Sequence, residues 1–231
     1  MAEGKIKVTV GGVDVTDEVE VAFKPKKGAP GTNIYVVLDR SGSMQPLTSD
    51  TIGGFNEWLA KQKEAGANQR LTLTLFADDV RTPYAESLIG DVKPLNTASY
   101  QATGPSTSLL DAIGKTVAKV NDNGIDKVLF LVMTDGQENS SREFKKADIQ
   151  KLIETKQATG WQFIYIGSDP AGFADAQTMG YSGTFVVNSL NHNTYSTLGN
   201  ATVGYSSSDV LRGSATTLTQ ADLDAKDKGT K

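Results

Sequence analysis

Asp39, Ser41 and Ser43 alternate along Asp39-Arg40-Ser41-Gly42-Ser43-Met44, immediately after an apolar run at 34–38. Oxygen side chains at every second position past a buried strand suit a hard divalent cation, and the intervening Gly42 lets the chain fold tightly around one. Such composition also makes ordinary turns and caps. Two further segments add to it. Thr107 follows Gly104-Pro105-Ser106 at the start of an apolar-periodic helix, and Asp135 lies in Thr134-Asp135-Gly136 after the apolar run 128–133. Two carboxylates and three hydroxyls, with waters completing the shell, fit the near-octahedral oxygen coordination of Mg²⁺. Mn²⁺ is an equivalent and Ca²⁺ a looser alternative. Zn²⁺ is disfavoured for want of nearby His or Cys.

These residues need strand ends that face one another. From residue 33 the chain alternates strand and helix signals: strands at 34–38, 71–75, 128–133, 163–166 and 185–187, with a short one near 80–83. Helices are expected over 49–64, 107–121, from a Ser140/Glu143 capping box to Gly160, over 171–179 and over 193–206. That alternation predicts a three-layer α/β fold with a mostly parallel central sheet, whose ligands collect outside the carboxyl ends of the strands. An N-terminal β-hairpin is expected at 6–23, turning at Gly11-Gly12. The organisation is then 1–32 hairpin and connector, 33–213 main domain, and 214–231 a polar tail.

Composition removes several function classes. With 27 acidic against 23 basic residues, the chain lacks the basic field that nucleic-acid binding requires. The absence of Cys excludes disulfide scaffolds and thiolate chemistry, and a lone His192 excludes a multi-histidine centre. No apolar run reaches the length of a membrane span, and the first residues lack a secretory signal. A cytoplasmic protein is the simplest expectation. A viral origin would place it in the host cytoplasm or the virion.

The motif Asp39-Arg40-Ser41-Gly42-Ser43, Thr107 with Leu109-Leu110-Asp111-Ala112-Ile113, and Thr134-Asp135-Gly136 resembles the von Willebrand factor type A (vWA) domain. So does 160–167, Gly160-Trp161-Gln162-Phe163-Ile164-Tyr165-Ile166-Gly167, which is similar to stand-alone bacterial and viral vWA proteins. The resemblance implies a Rossmann-like sheet with one short antiparallel edge strand. It also implies a metal-ion-dependent adhesion site built from Asp39, Ser41, Ser43, Thr107 and Asp135. A partner's Asp or Glu would complete the ion's shell, and some intracellular relatives act beside AAA+ ATPases of the MoxR type. The expected contact rim is Met44, Gln45, Ser106, Gln137 and Glu138, with Glu138 repelling a second acidic group. Asp111, one helical turn after Thr107, is expected to support the site from behind or to serve the helix start.

Other residues carry less. Asp78 and Asp79 read as solvated turn residues, His192 as a loop residue, and Trp58 and Trp161 as core. A structural subunit of an assembly with an incidental metal site is one alternative. Mg²⁺-dependent phosphoester hydrolysis is another, but Asp39 has no Asp two residues on and no base is supplied to activate Ser41 or Ser43. A non-enzyme is the expectation.

Overall fold

The computed structural model describes residues 9–10, 13–14, 31–65, 69–120, 127–168, 178–181, 183–186, 190, 194–196, 198–199 and 202. Residues 19–23, His192, the tail from 214 and most of the helix expected at 171–179 lie outside them. The chain divides into two compact units, Met1–Pro30 and Gly31–Lys231. In the first, β1 (Thr9–Val10) pairs antiparallel with β2 (Val13–Asp14), bracketing the Gly11-Gly12 dipeptide.

The second unit holds β3 (Thr32–Asp39), α1 (Thr48–Ala65), β4 (Arg70–Phe76), β5 (Val80–Leu88), α2 (Leu109–Ala118), β6 (Lys127–Thr134), α3 (Lys146–Ala158), β7 (Gln162–Gly167) and β8 (Gly183–Val186). The sheet order is β5-β4-β3-β6-β7-β8, parallel throughout except for the β4–β5 pair. This is the expected mostly parallel sheet flanked by helices. β3 and β6 read as unbroken apolar runs because both their faces are covered. Side-chain parity divides the core in two. Ile34, Val36 and Leu38 pack with Phe55, Trp58 and Leu59 of α1 and with Tyr195 and Leu198. Tyr35 and Val37 pack with Ile113 and Val117 of α2, Ile149 and Ile153 of α3, and Trp161.

Several element bounds shift by a few residues, and two differences matter most. The antiparallel edge strand runs to Leu88, not 83, its residues alternating between partly covered and exposed. Pro83 masks that strand in the sequence, although an edge position needs no N–H there. The Ser140/Glu143 capping box does not form. Helix α3 starts at Lys146, where the Lys145 N–H donates to Asp148 Oδ2 at 2.9 Å. Its far end is as expected: Gly160 takes a left-handed φ of 95°, a conformation that suits glycine.

From central β3 the chain crosses α1 to β4 on one side and later returns through α2 to β6 on the other. The carboxyl ends of β3 and β6 therefore flank the point where strand order reverses, the position at which open α/β sheets bind ligands.

Candidate metal-binding site

The β3–β6 register pairs Leu38 with Met133, so Asp39 and Thr134 end adjacent strands side by side. Asp39 is fully buried. Its Oδ1 accepts the Ser41 N–H at 2.7 Å, its Oδ2 accepts the Thr134 hydroxyl at 2.5 Å, and its carbonyl accepts the Tyr100 hydroxyl at 2.7 Å. The first loop then winds through a 3-10 turn at Gly42–Leu47. Ser41 Oγ and Ser43 Oγ lie 3.1 Å apart, and the Ser43 hydroxyl donates to Asp135 Oδ1 at 2.7 Å.

Thr107 enters from the second loop, just before α2. Its N–H donates to Asn139 Oδ1 at 2.8 Å and its carbonyl accepts the Asn139 N–H at 3.1 Å, which ties the second loop to the third. Gly104 joins the second loop to the first: its carbonyl accepts the Gly42 N–H at 2.8 Å and its own N–H donates to the Arg40 carbonyl at 3.3 Å. A Cβ on Gly104 would collide with that of Ala77, so this close approach requires glycine.

The five expected oxygen residues thus come together. The point where a Cβ would stand on Gly136 lies 3.6 Å from both Ser43 Oγ and Thr107 Oγ1 and 3.9 Å from Asp39 Oδ2. Oxygens from the first and second loops face a glycine of the third, which has no side chain to fill the space between them. Burial pushes the Asp39 carboxyl above its ordinary pKa. The bonds from Thr134 and Ser41 oppose that rise, and the nearby Asp135 charge adds to it. Burial also raises Asp135, against the Ser43 bond. Two desolvated carboxylates among hydroxyls favour a cation between them, and the donors, all hard oxygens, fit Mg²⁺ or Mn²⁺. Among the described residues no group of three or more His, Cys, Asp or Glu is placed to hold a metal by itself. Any ion here depends on the hydroxyls.

Several expected roles change. Met44 is not a rim residue, because the 3-10 turn folds it into the core, where it is fully buried. Glu138 is not a free rim charge. Its carboxylate accepts the N–H groups of Leu110, Ser140 and Ser141 at 3.0, 2.9 and 2.7 Å and the Ser141 hydroxyl at 2.7 Å. Gln45 and Gln137 are exposed and Ser106 half-buried, on the loops where the rim was expected. Asp111 binds a different segment: its carboxylate accepts the N–H groups of Arg142, Glu143 and Phe144 at 3.0, 2.9 and 2.9 Å. Burial alone would raise its pKa, but those three bonds, with the Lys115 charge, hold it below the ordinary value. Asp79 is not merely solvated, since it pairs with both Arg40 and Arg81. Trp58 and Trp161 are buried, as expected.

Sequence reasoning missed Thr134, Tyr100 and Asn139 as supports of the site. Strand parity could have found the first, because Val128, Phe130 and Val132 face the same core as Tyr35 and Val37, putting Thr134 on the side of Asp39.

The von Willebrand factor type A domain family matches residues 33–200. No curated protein matches the chain. Among solved structures, the pilus adhesin SpaC from Lactobacillus rhamnosus GG is similar at 12% identity and a TM-score of 0.59, covering 77% of this chain and 30% of its own. Proximal thread matrix protein 1 from the mussel byssus is similar at 15% identity and a TM-score of 0.57, covering 77% and 46%. A von Willebrand factor type A structure from Catenulispora acidiphila is similar at 14% identity and a TM-score of 0.53, covering 77% and 43%. The similarity spans less than half of each of these chains and is one of fold. With its family match running from β3 to the helical residues near 200, the chain belongs to the von Willebrand factor type A domain family.

Proposed function

We propose that the domain is a divalent-metal-dependent protein-binding module. Asp39, Ser41, Ser43, Thr107 and Asp135 would hold Mg²⁺ or Mn²⁺, and an Asp or Glu of a partner protein would complete the shell. The convergence of Ser43, Thr107 and Asp39 oxygens around Gly136 carries this reading. Family membership supports it, since such domains are generally non-catalytic interaction modules. A bound ion would supply a charge-assisted anchor for a carboxylate, worth more than a surface ion pair because it is partly desolvated. Exposed Gln45 and Gln137 and half-buried Ser106 would form the rim around it. Among the described residues no helix is long and apolar enough to cross a membrane. We place the module in the cytoplasm, where AAA+ ATPases of the MoxR type are the first partners to test.

Mn²⁺ titration followed by electron paramagnetic resonance tests the ion directly. One saturable site is expected, weakened about a hundredfold or more in Asp39→Ala, at the upper end of what loss of ligand support costs a metal site. An unchanged titration in that variant overturns the metal reading. Partner capture that survives both EDTA and neutralisation of each partner Asp and Glu overturns the carboxylate contact.

A further inference from the structure

Arg40 stands between two of the proposed ligands in sequence, yet its side chain belongs to another part of the surface. It reaches Asp79 in the β4–β5 turn, while its backbone N–H donates to the Phe76 carbonyl at 2.8 Å. Beside it is a cavity of about 310 Å³, where Arg40, Arg81, Ser99 and Gln101 face Leu75 and Pro83. That is the small end of ligand-sized pockets, enough for a side chain or a small acid.

Two features of this cavity are unexplained by folding alone. The Arg40 side chain is only 8% exposed, and its buried Nε has no hydrogen-bond partner among the described residues. A buried guanidinium N–H left unmet is costly. The two guanidiniums also compete for one acceptor. Arg81 Nε donates to Asp79 Oδ2 at 2.5 Å, so one carboxylate serves two guanidiniums. Lys119 Nζ donates to Thr82 Oγ1, on the cavity wall, at 2.8 Å. Both guanidiniums on the wall share one partly exposed carboxylate. A purely structural clamp between the first loop and the β4–β5 turn would need Asp79 alone. It would need neither a cavity nor an unpaired donor.

We propose that this cavity binds a single carboxylate carried by a peptide, gripped between Arg40 and Arg81. Guanidinium forks match carboxylate geometry, and the Gln101 side-chain amide on the wall can donate a further hydrogen bond. Leu75 and Pro83 give an apolar wall for the methylenes that precede an acidic group. Asp79, already beside both guanidiniums, would repel the second charge of a phosphate, which favours a monoanion. The contact needs no metal and is separate from the oxygen set at Gly136.

The test follows the Nε–Hε resonances of Arg40 and Arg81 by ¹⁵N NMR in the full chain, stripped of metal and dialysed into metal-free buffer without chelator, so that failure of the metal reading leaves it intact. Three peptides serve as probes: capped Gly-Glu-Gly, capped Gly-Gln-Gly, and Gly-Gly-Gly with a free C-terminal carboxylate. Saturable shifts with a Kd of about 1 mM are expected from a carboxylate peptide and none from the Gln peptide. Which carboxylate peptide binds more tightly assigns the source as side chain or C-terminus. Arg81→Gln, at a position whose side chain is 67% exposed, should weaken binding about tenfold while leaving the thermal midpoint nearly unchanged. No shift from either carboxylate peptide, or an equal shift from the Gln peptide, overturns the proposal. Tighter binding of inorganic phosphate than of the peptides overturns the monoanion assignment.

Discussion

Two carboxylate-bearing regions meet at the start of α2 and are satisfied in opposite ways. In the segment 138–144, Glu138 and Asp111 between them accept six backbone N–H groups, which fixes the third loop against the helix. At the rim, Asp39 accepts one backbone N–H and one hydroxyl, and Asp135 is met by the Ser43 hydroxyl. The first region holds the Asp111 carboxyl below its ordinary pKa, and the second pushes Asp39 and Asp135 above theirs. Carboxylates that the backbone saturates are scaffold. Carboxylates left among hydroxyls and desolvated are the ones that, on the proposed reading, a cation would meet. The difference lies in the supply of N–H donors, not in the residue types.

Removing the scaffold should produce the largest loss of stability. Asp111→Ala leaves three loop N–H groups without their charged acceptor and should cost about 2–3 kcal/mol in denaturant unfolding, while Mn²⁺ affinity of the folded fraction changes little. The pH dependence separates the regions further. A lowered folded pKa means that Asp111 contributes stability above its unfolded value near 3.8, and that this is lost as pH falls through the lower folded value. The stability gap between wild type and Asp111→Ala should therefore close in acid. A gap that persists there, or a variant as stable as wild type at neutral pH, would erase the contrast.

The same contrast marks what sequence could reveal. The oxygen set was legible because Asp39 and Asp135 follow apolar runs that can only be buried strands, and parallel strands collect ligands at those ends. The roles of Glu138 and Asp111 were not. Their partners are backbone N–H groups of a loop whose path depends on where α3 begins, and the apparent Ser140/Glu143 cap pointed to an earlier start. Met44 was misplaced for a related reason, since a short 3-10 turn carries no periodic pattern to show which residue it turns inward. Tyr100 and Asn139 sit in loops, and only the folded chain brings them to the Asp39 carbonyl and to Thr107.

A finer probe fills the space between the rim oxygens without touching any of them. The Cβ of Gly136→Ala would stand 3.6–3.9 Å from Ser43, Thr107 and Asp39 oxygens, which is ordinary contact, so the fold should tolerate it. Any ligand seated there loses room. Mn²⁺ affinity should fall about tenfold, equivalent to roughly 1.4 kcal/mol, with unfolding stability nearly unchanged. Full affinity in this variant would move the ion away from the point on which the three loops converge.

The smallest effect should have the opposite sign to the first. Asp135 is a half-buried charge that accepts the Ser43 hydroxyl at 2.7 Å and lies close enough to the buried Asp39 for the two charges to oppose each other. Without an ion this arrangement costs stability, because neither carboxylate has the donors to offset its desolvation. Asp135→Asn keeps the shape and an acceptor for Ser43 while removing that charge. In EDTA the variant should unfold at slightly higher denaturant, a gain of about 0.5–1 kcal/mol of the kind found when functional sites are neutralised. Saturating Mn²⁺ should reverse the ranking, since binding to the native state stabilises wild type and not the variant. A variant less stable than wild type in EDTA would show that Asp135 is scaffold after all, and the division between the two regions would fail at that residue.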